Sequence, residues 1–186
     1  MWWTAVAWAA VDGDRNELVE RKVGLGVGTS FPISSDDDAV VRIDQFGLRW
    51  QVTPGLALDP AFTVDARHTW DGIGIDEDRS GATVGGDLTL RAYVGQHGMA
   101  HLAALVGASA SSAQYDVETA PRSTYANVQT GLSVELAPEP WVAVSTDLRC
   151  PLVYLWSDAY QGDATTTLGV TLGWRPSLGA MVHVFF

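Results

Sequence analysis

From Val23 to the C-terminus, apolar and polar residues alternate with a period of two in nearly every segment bounded by turn residues, the pattern of strands with one apolar face. Arg42 to Leu58 places Phe46, Leu48, Trp50, Val52, Pro54, Leu56 and Leu58 on one face, and Gln45, Gly47, Arg49, Gln51 and Thr53 on the other. Phe62 to Trp70 sets Phe62, Val64, Ala66, His68 and Trp70 against Thr63, Asp65, Arg67 and Thr69. Val84 to Val94 opposes Leu88, Leu90, Ala92 and Val94 to Asp87, Thr89, Arg91 and Tyr93. Tyr125 to Leu136 opposes Val128, Leu132, Val134 and Leu136 to Asn127, Gln129, Ser133 and Glu135. Trp141 to Trp156 puts Val142, Val144, Leu148, Leu152, Tyr154 and Trp156 opposite Ser145, Asp147 and Arg149. Successive strand residues point to opposite faces, so each segment has an apolar and a polar side.

Two segments are less regular. Val23 to Ser34 alternates Val23, Leu25 and Val27 with Gly24, Gly26 and Gly28, a face almost without side chains that reads as close packing rather than a nucleotide loop, since no helix follows. His101 to Ala110 is alanine-rich, but it is short for a helix, is interrupted by Gly107 and lies in a run of strands, so it reads as a strand. Near the C-terminus, Leu168, Val170, Leu172 and Trp174 stay in phase with Leu178, Ala180, Val182, Val184 and Phe186 across Arg175-Pro176-Ser177. A two-residue hairpin would flip that phase, so one long strand with a bend at Pro176 is expected. Eight strands follow, beginning near residues 23, 42, 61, 83, 100, 124, 141 and 165.

Charge decides which face is inside. The polar faces carry Arg49, Arg67, Arg91 and Arg149 against Asp65, Asp87, Glu135 and Asp147, a neutral set in a chain of net charge -11. Exposed faces would share the acidity of the whole, whereas charges confined in a lumen must pair to offset their desolvation. The expectation is an all-β fold: a closed, antiparallel, up-and-down transmembrane β-barrel whose narrow lumen is filled by side chains. A soluble, lipocalin-like barrel requires the neutral faces to lie outside. The apolar stretches from Phe62 to Trp70 and from Trp174 to Phe186 span roughly 20 to 30 Å once tilted, close to an apolar band about 25 Å tall. Trp50, Trp70 and Trp174 are expected in an upper aromatic girdle, and Phe62 and Phe186 in a lower one. Short connections at Asp59-Pro60, Gln96 to Met99 and Ala137 to Pro140 alternate with longer polar ones, the loop asymmetry of membrane barrels.

Composition narrows the function. The acidic balance argues against nucleic acid as a partner, and one cysteine among 186 residues excludes a disulfide framework or a Cys-cluster zinc site. Residues 1–22 form a separate unit: Met1 to Val11 is too short to cross a bilayer and contains Ala7-Trp8-Ala9, so it reads as the remnant of a secretory leader, with a first strand or a short amphipathic anchor as the alternatives, and Asp12 to Lys22 reads as a polar tail or short helix. Residues 23–186 form the barrel domain.

The chain resembles the eight-stranded outer-membrane barrels of Gram-negative bacteria, the family of OmpX, OmpW and the OmpA membrane domain. The strand pattern, the loop asymmetry and the ending Val182-His183-Val184-Phe185-Phe186 carry the resemblance. It implies residence in the bacterial outer membrane, contact with its lipid and lipopolysaccharide, recognition of the terminal strand by the barrel insertion machinery, and a monomer.

The chemistry on offer is modest. Acidic loops carry Asp36, Asp37, Asp38, Asp71, Asp76, Glu77, Asp78, Asp116, Glu118, Asp158 and Asp163 against Arg79 and Arg122. Divalent cations favour such oxygen clusters, so Asp36, Asp37, Asp38, Asp76, Glu77 and Asp78 are the candidate metal ligands, bridging to lipopolysaccharide phosphates; no EF-hand spacing is present, and a solvated rim is the simpler account. His101 and His183 face the lumen without a placed carboxylate to complete a metal site. Some members of the family are lipid-modifying enzymes with an outward Ser-His-acid set; here His68 has only Thr69, on the other face. No nucleophile elbow, phosphate loop, zinc-protease or dinucleotide motif occurs, and no cofactor is implied. The expectation is a non-enzymatic barrel acting in envelope integrity or surface interaction; a narrow solute channel is the alternative, and a lipid-modifying enzyme a weaker one.

Overall fold

The computed structural model describes residues 22–32, 45–69, 79–115, 122–160, 163–170 and 176–186, without the side chains of 30–32, 65–69, 79–81, 115, 122, 159–160 and 163–164. Among the described residues there is no helix, and the strands are β1 (Val23–Pro32), β2 (Gln45–Thr53), β3 (Leu56–Thr69), β4 (Arg79–His97), β5 (Ala100–Tyr115), β6 (Arg122–Glu139), β7 (Val142–Tyr160), β8 (Asp163–Val170) and β9 (Ser177–Phe185). Each of β1 to β6 pairs antiparallel with its successor in sequence, and β7 pairs with β8. The ring closes through β9, which pairs with β7 on one side and β1 on the other.

Segments β8 and β9 follow one another along the same edge of β7. The described pairs Arg149↔Ser177 and Val153↔Val170 are separated by three residues along β7 and six along the other chain segment, so the register differs between them. Leu168, Val170, Val182 and Val184 nevertheless all point outward, in one phase. The nine segments therefore fill eight positions of a closed antiparallel barrel.

The described connections at one end are two-residue turns: Pro54-Gly55, Gly98-Met99 and Pro140-Trp141. Gly98 takes the left-handed conformation (φ 58°) that a tight hairpin asks of its first central residue. The turn at Pro54-Gly55 corrects the expectation of one at Asp59-Pro60. Both Asp59 and Pro60 lie inside β3, paired with Thr89 and Leu88. The error has a physical source: the register shifts between Gln51↔Ala57 and Thr53↔Leu56, and this bulge restores the phase that the hairpin would have flipped. Alternation therefore runs through the turn as if no turn were there.

The same shift corrects two aromatic positions. Trp50 lies beside the two-residue turn, at the level of Val23 and therefore of Phe186, whose amide donates to the Val23 carbonyl. It belongs to the lower end with Phe186 and Trp141, not to an upper girdle. Phe62, paired with Phe46 and Gly86, sits midway along β3 rather than at the lower rim. Trp70 and Trp174 lie outside the described residues, as do the leader remnant and polar tail up to residue 21.

Polarity is inverted relative to a soluble fold. Phe62, Val84, Val106, Leu132 and Val134 are more than half exposed on the outer wall. The largest fully buried side chains are Arg49, Arg91, Leu105, His183 and Glu135, four of them polar or charged. Exposed apolar residues on every strand, in a continuous band, are unfavourable in water and favourable against acyl chains. The barrel is built to sit in a bilayer.

A candidate functional site in the lumen

Inward positions of five strands converge on one ion-pair network. Asp59 of β3 binds Arg49 of β2 in a fork, accepting from Nε at 2.8 Å and from Nη2 at 2.9 Å. Its Oδ2 also accepts from Arg91 Nε of β4 at 2.9 Å. Arg49 reaches across the barrel to Glu135 of β6, which also accepts from the Tyr93 hydroxyl at 3.1 Å. Arg91 donates to Ser133 and, through Nη2, to both oxygens of Asp147 at 3.0 and 3.1 Å. Ser133 in turn donates to Asp147 at 2.6 Å. Arg149 of β7 bridges Asp147 at 2.9 Å and Asp87 at 3.1 Å, and Asp87 accepts from Thr89 and Gln129.

Three guanidinium groups thus meet four carboxylates, with Arg49 and Arg91 almost wholly shielded from solvent. Ionised groups taken out of water cost several kcal/mol each unless paired, so each charge in the network depends on its partners. Strand geometry makes it possible: inward residues recur every second position, and neighbouring strands lie about 4.8 Å apart, so a long Arg spans to the strands opposite.

Of the sequence-derived lumen set, Arg49, Asp87, Arg91, Glu135, Asp147 and Arg149 meet here. Asp65 and Arg67 are in β3, paired with Thr83 and Gly81, but their side chains lie outside the described residues. Asp59 is the residue that sequence reasoning misses, because the pattern puts it in a turn. Extending the phase of Asp65 and Thr63 back along β3 would find it. Tyr93 and Ser133 stand on the polar face of the pattern with no charge to single them out.

Glycines make room at the closing strand. A Cβ on Gly26 would sit 2.7 Å from the His183 imidazole, and one on Gly24 2.9 Å from the Phe185 ring. His183 is 1% exposed, and neither ring nitrogen has a hydrogen-bond partner among the described residues. His101 packs edge-on against Tyr93, with centroids 5.9 Å apart. No three His, Cys, Asp or Glu side chains among the described residues are grouped to hold a metal. The loop candidates Asp36, Asp37, Asp38, Asp76, Glu77 and Asp78, and the His68 side chain, lie outside them.

Higher in the barrel a second correction appears. The register of β7 against β6 shifts between Gln129↔Pro151 and Val128↔Val153, leaving Leu152 as the extra residue of a bulge. Phase inverts above it. Tyr154 and Trp156, read from the sequence as outward, pair with the inward Asn127 and Tyr125 and face the lumen, while Val153 and Leu155 face out.

No family model and no curated protein matches the chain. Among solved structures it is similar to Ail, the attachment invasion locus protein of Yersinia pestis, at 12% identity and a TM-score of 0.42, over 89% of this chain and 95% of that one. A major outer membrane protein of Thermus thermophilus aligns at 13% identity and a TM-score of 0.48, over 88% and 99%. CarO of Acinetobacter baumannii aligns at 10% identity and a TM-score of 0.42, over 89% and 98%. The strand register, the two-residue turns at one end, the apolar wall and the charged interior are properties of this chain itself. By these it is an eight-stranded transmembrane β-barrel of the outer-membrane type.

Proposed function

We propose that this protein is a monomeric, non-enzymatic barrel of the bacterial outer membrane, closed to solutes by its own ion pairs and acting in envelope integrity or surface interaction. The observation that supports the closure is the Asp59 carboxylate shared by Arg49 and Arg91, which ties β2, β3 and β4 together across the inside of the barrel. Arg91 and Asp147 extend that tie to β7, and Arg49 and Glu135 extend it to β6. Side chains committed to one another on five strands leave little of a narrow lumen for water. On this reading lipid and lipopolysaccharide surround the wall, the insertion machinery engages the terminal strand, and the acidic loops beyond the membrane meet divalent cations or other surfaces.

Planar-bilayer recording tests the closure. The protein is expected to insert without resolvable conductance steps, and a variant combining Arg49→Ala, Asp59→Ala and Arg91→Ala to produce small ones. Steady steps from the unaltered protein would establish a channel and sink the plug. Unchanged lipid A after incubation with the folded protein is expected if no lipid chemistry is performed.

A further inference from the structure

Above the ion pairs the lumen changes character. Tyr125 of β6 and Tyr154 of β7 stack with centroids 6.1 Å apart and ring planes 24° from parallel, and Trp156 meets Tyr125 edge-on at 5.9 Å. Gly169 of β8, directly paired with Tyr154, is what allows that ring to lie against the wall: a Cβ there would run into it. Beside these rings stands Asp158. Its Oδ1 accepts from the Ser123 hydroxyl at 2.6 Å and its Oδ2 from Trp156 Nε1 at 2.5 Å.

Both donors are neutral, and among the described residues the carboxylate has no cationic partner. The contrast with the network below is direct: there each carboxylate touches a guanidinium. Two tyrosines, a tryptophan that is 40% exposed and a carboxylate with no cationic partner among the described residues therefore share the outer mouth of the barrel. Aromatic faces carry negative electrostatic potential, and with a carboxylate beside them they favour a cation that sheds water easily. An alkylated ammonium fits that description; a strongly hydrated metal ion does not.

We propose that Tyr125, Tyr154, Trp156 and Asp158 form a binding site for an organic ammonium ion at the outer mouth of the lumen. The site needs only the register of β6, β7 and β8, and is independent of whether the lumen conducts. Its ligand comes either free, as a small amine, or as the headgroup of a choline lipid.

The test is calorimetric titration of the full chain, folded in octyl glucoside so that no choline is present, with choline, with the uncharged isostere 3,3-dimethylbutan-1-ol and with glycerophosphocholine. Choline is expected to bind in the millimolar range and the alcohol at least roughly tenfold more weakly, the scale of one lost charge contact. Asp158→Asn and Trp156→Leu should each weaken choline by roughly tenfold, while Tyr154→Phe, which keeps the ring, stays within about twofold. A heat-dependent gel shift of every variant establishes that it is folded. Tighter binding of glycerophosphocholine than of choline assigns the site to a lipid headgroup, and the reverse to a free amine. Equal binding of choline and the alcohol, an Asp158→Asn variant with unaltered affinity, or no binding of choline by the folded protein overturns the proposal.

Discussion

Arg49 and Arg91 are held together through a single oxygen: Asp59 Oδ2 accepts from Arg49 Nη2 and from Arg91 Nε, each at 2.9 Å. Two like charges on strands separated only by β3 are neighbours because the carboxylate between them belongs to both. The lumen's ion pairs are therefore coupled, and the loss of one member is felt by the rest.

Asp59→Ala should leave two shielded guanidinium groups short of a partner and destabilise the barrel by about 3–5 kcal/mol. Urea unfolding in lipid vesicles measures it. The double variant Asp59→Ala with Arg91→Met should be less destabilised than the sum of the two single changes, because they share a contact. Strict additivity would mean that the two groups do not interact.

The outer wall provides a test of its solvent. Leu132 is 54% exposed midway along β6, and Leu136 is 50% exposed near the two-residue turn. In a bilayer, Leu132→Arg should cost about 2–4 kcal/mol and Leu136→Arg about 0–1 kcal/mol. In water two exposed leucines would tolerate arginine alike, so equal small effects in vesicles would contradict the membrane assignment.

Close strand approach makes a third case. A Cβ at Gly131 would meet the backbone of Leu148 and Arg149, which has no rotamer to move away, whereas nothing lies within 4 Å of one at Gly55. Gly131→Ala should destabilise by about 1–3 kcal/mol. Gly55→Ala should be close to neutral. The unfolding midpoints of the two variants, taken side by side, check this.

Closure of the ring through β1 and β9 predicts heat-modifiable migration: the unboiled protein in SDS should run faster than the boiled one. Deleting Ser177–Phe185 removes the strand that both β1 and β7 use, and should abolish the shift.

Much of this architecture is legible in the sequence because a period of two is a strong signal when one face is apolar. The polar faces announce Arg49, Arg91 and Arg149 with Asp87, Glu135 and Asp147, since neutrality within an acidic chain requires a reason. Errors arise where the backbone departs from the period. At Val52 the bulge cancels the hairpin's phase flip, hiding the turn at Pro54-Gly55 and with it the inward role of Asp59. At Leu152 a bulge introduces a flip with no turn, so the period puts Tyr154 and Trp156 on the wrong side. Alternation records which side a residue faces only as far as the next inserted residue.

Leu152 also acts as a parity switch between two storeys of one strand. Removing that single residue would leave every other hydrophobic and aromatic letter of β7 in place and exchange the surroundings of its upper half. Tyr154, Trp156 and Asp158 would be presented to lipid, and Val153 and Leu155 to the interior, while Asp147 and Arg149 below kept their places. A one-codon deletion there would act as a wholesale surface exchange confined to the upper storey, so the reading frame of sidedness is as much a part of this protein's information as its residues are.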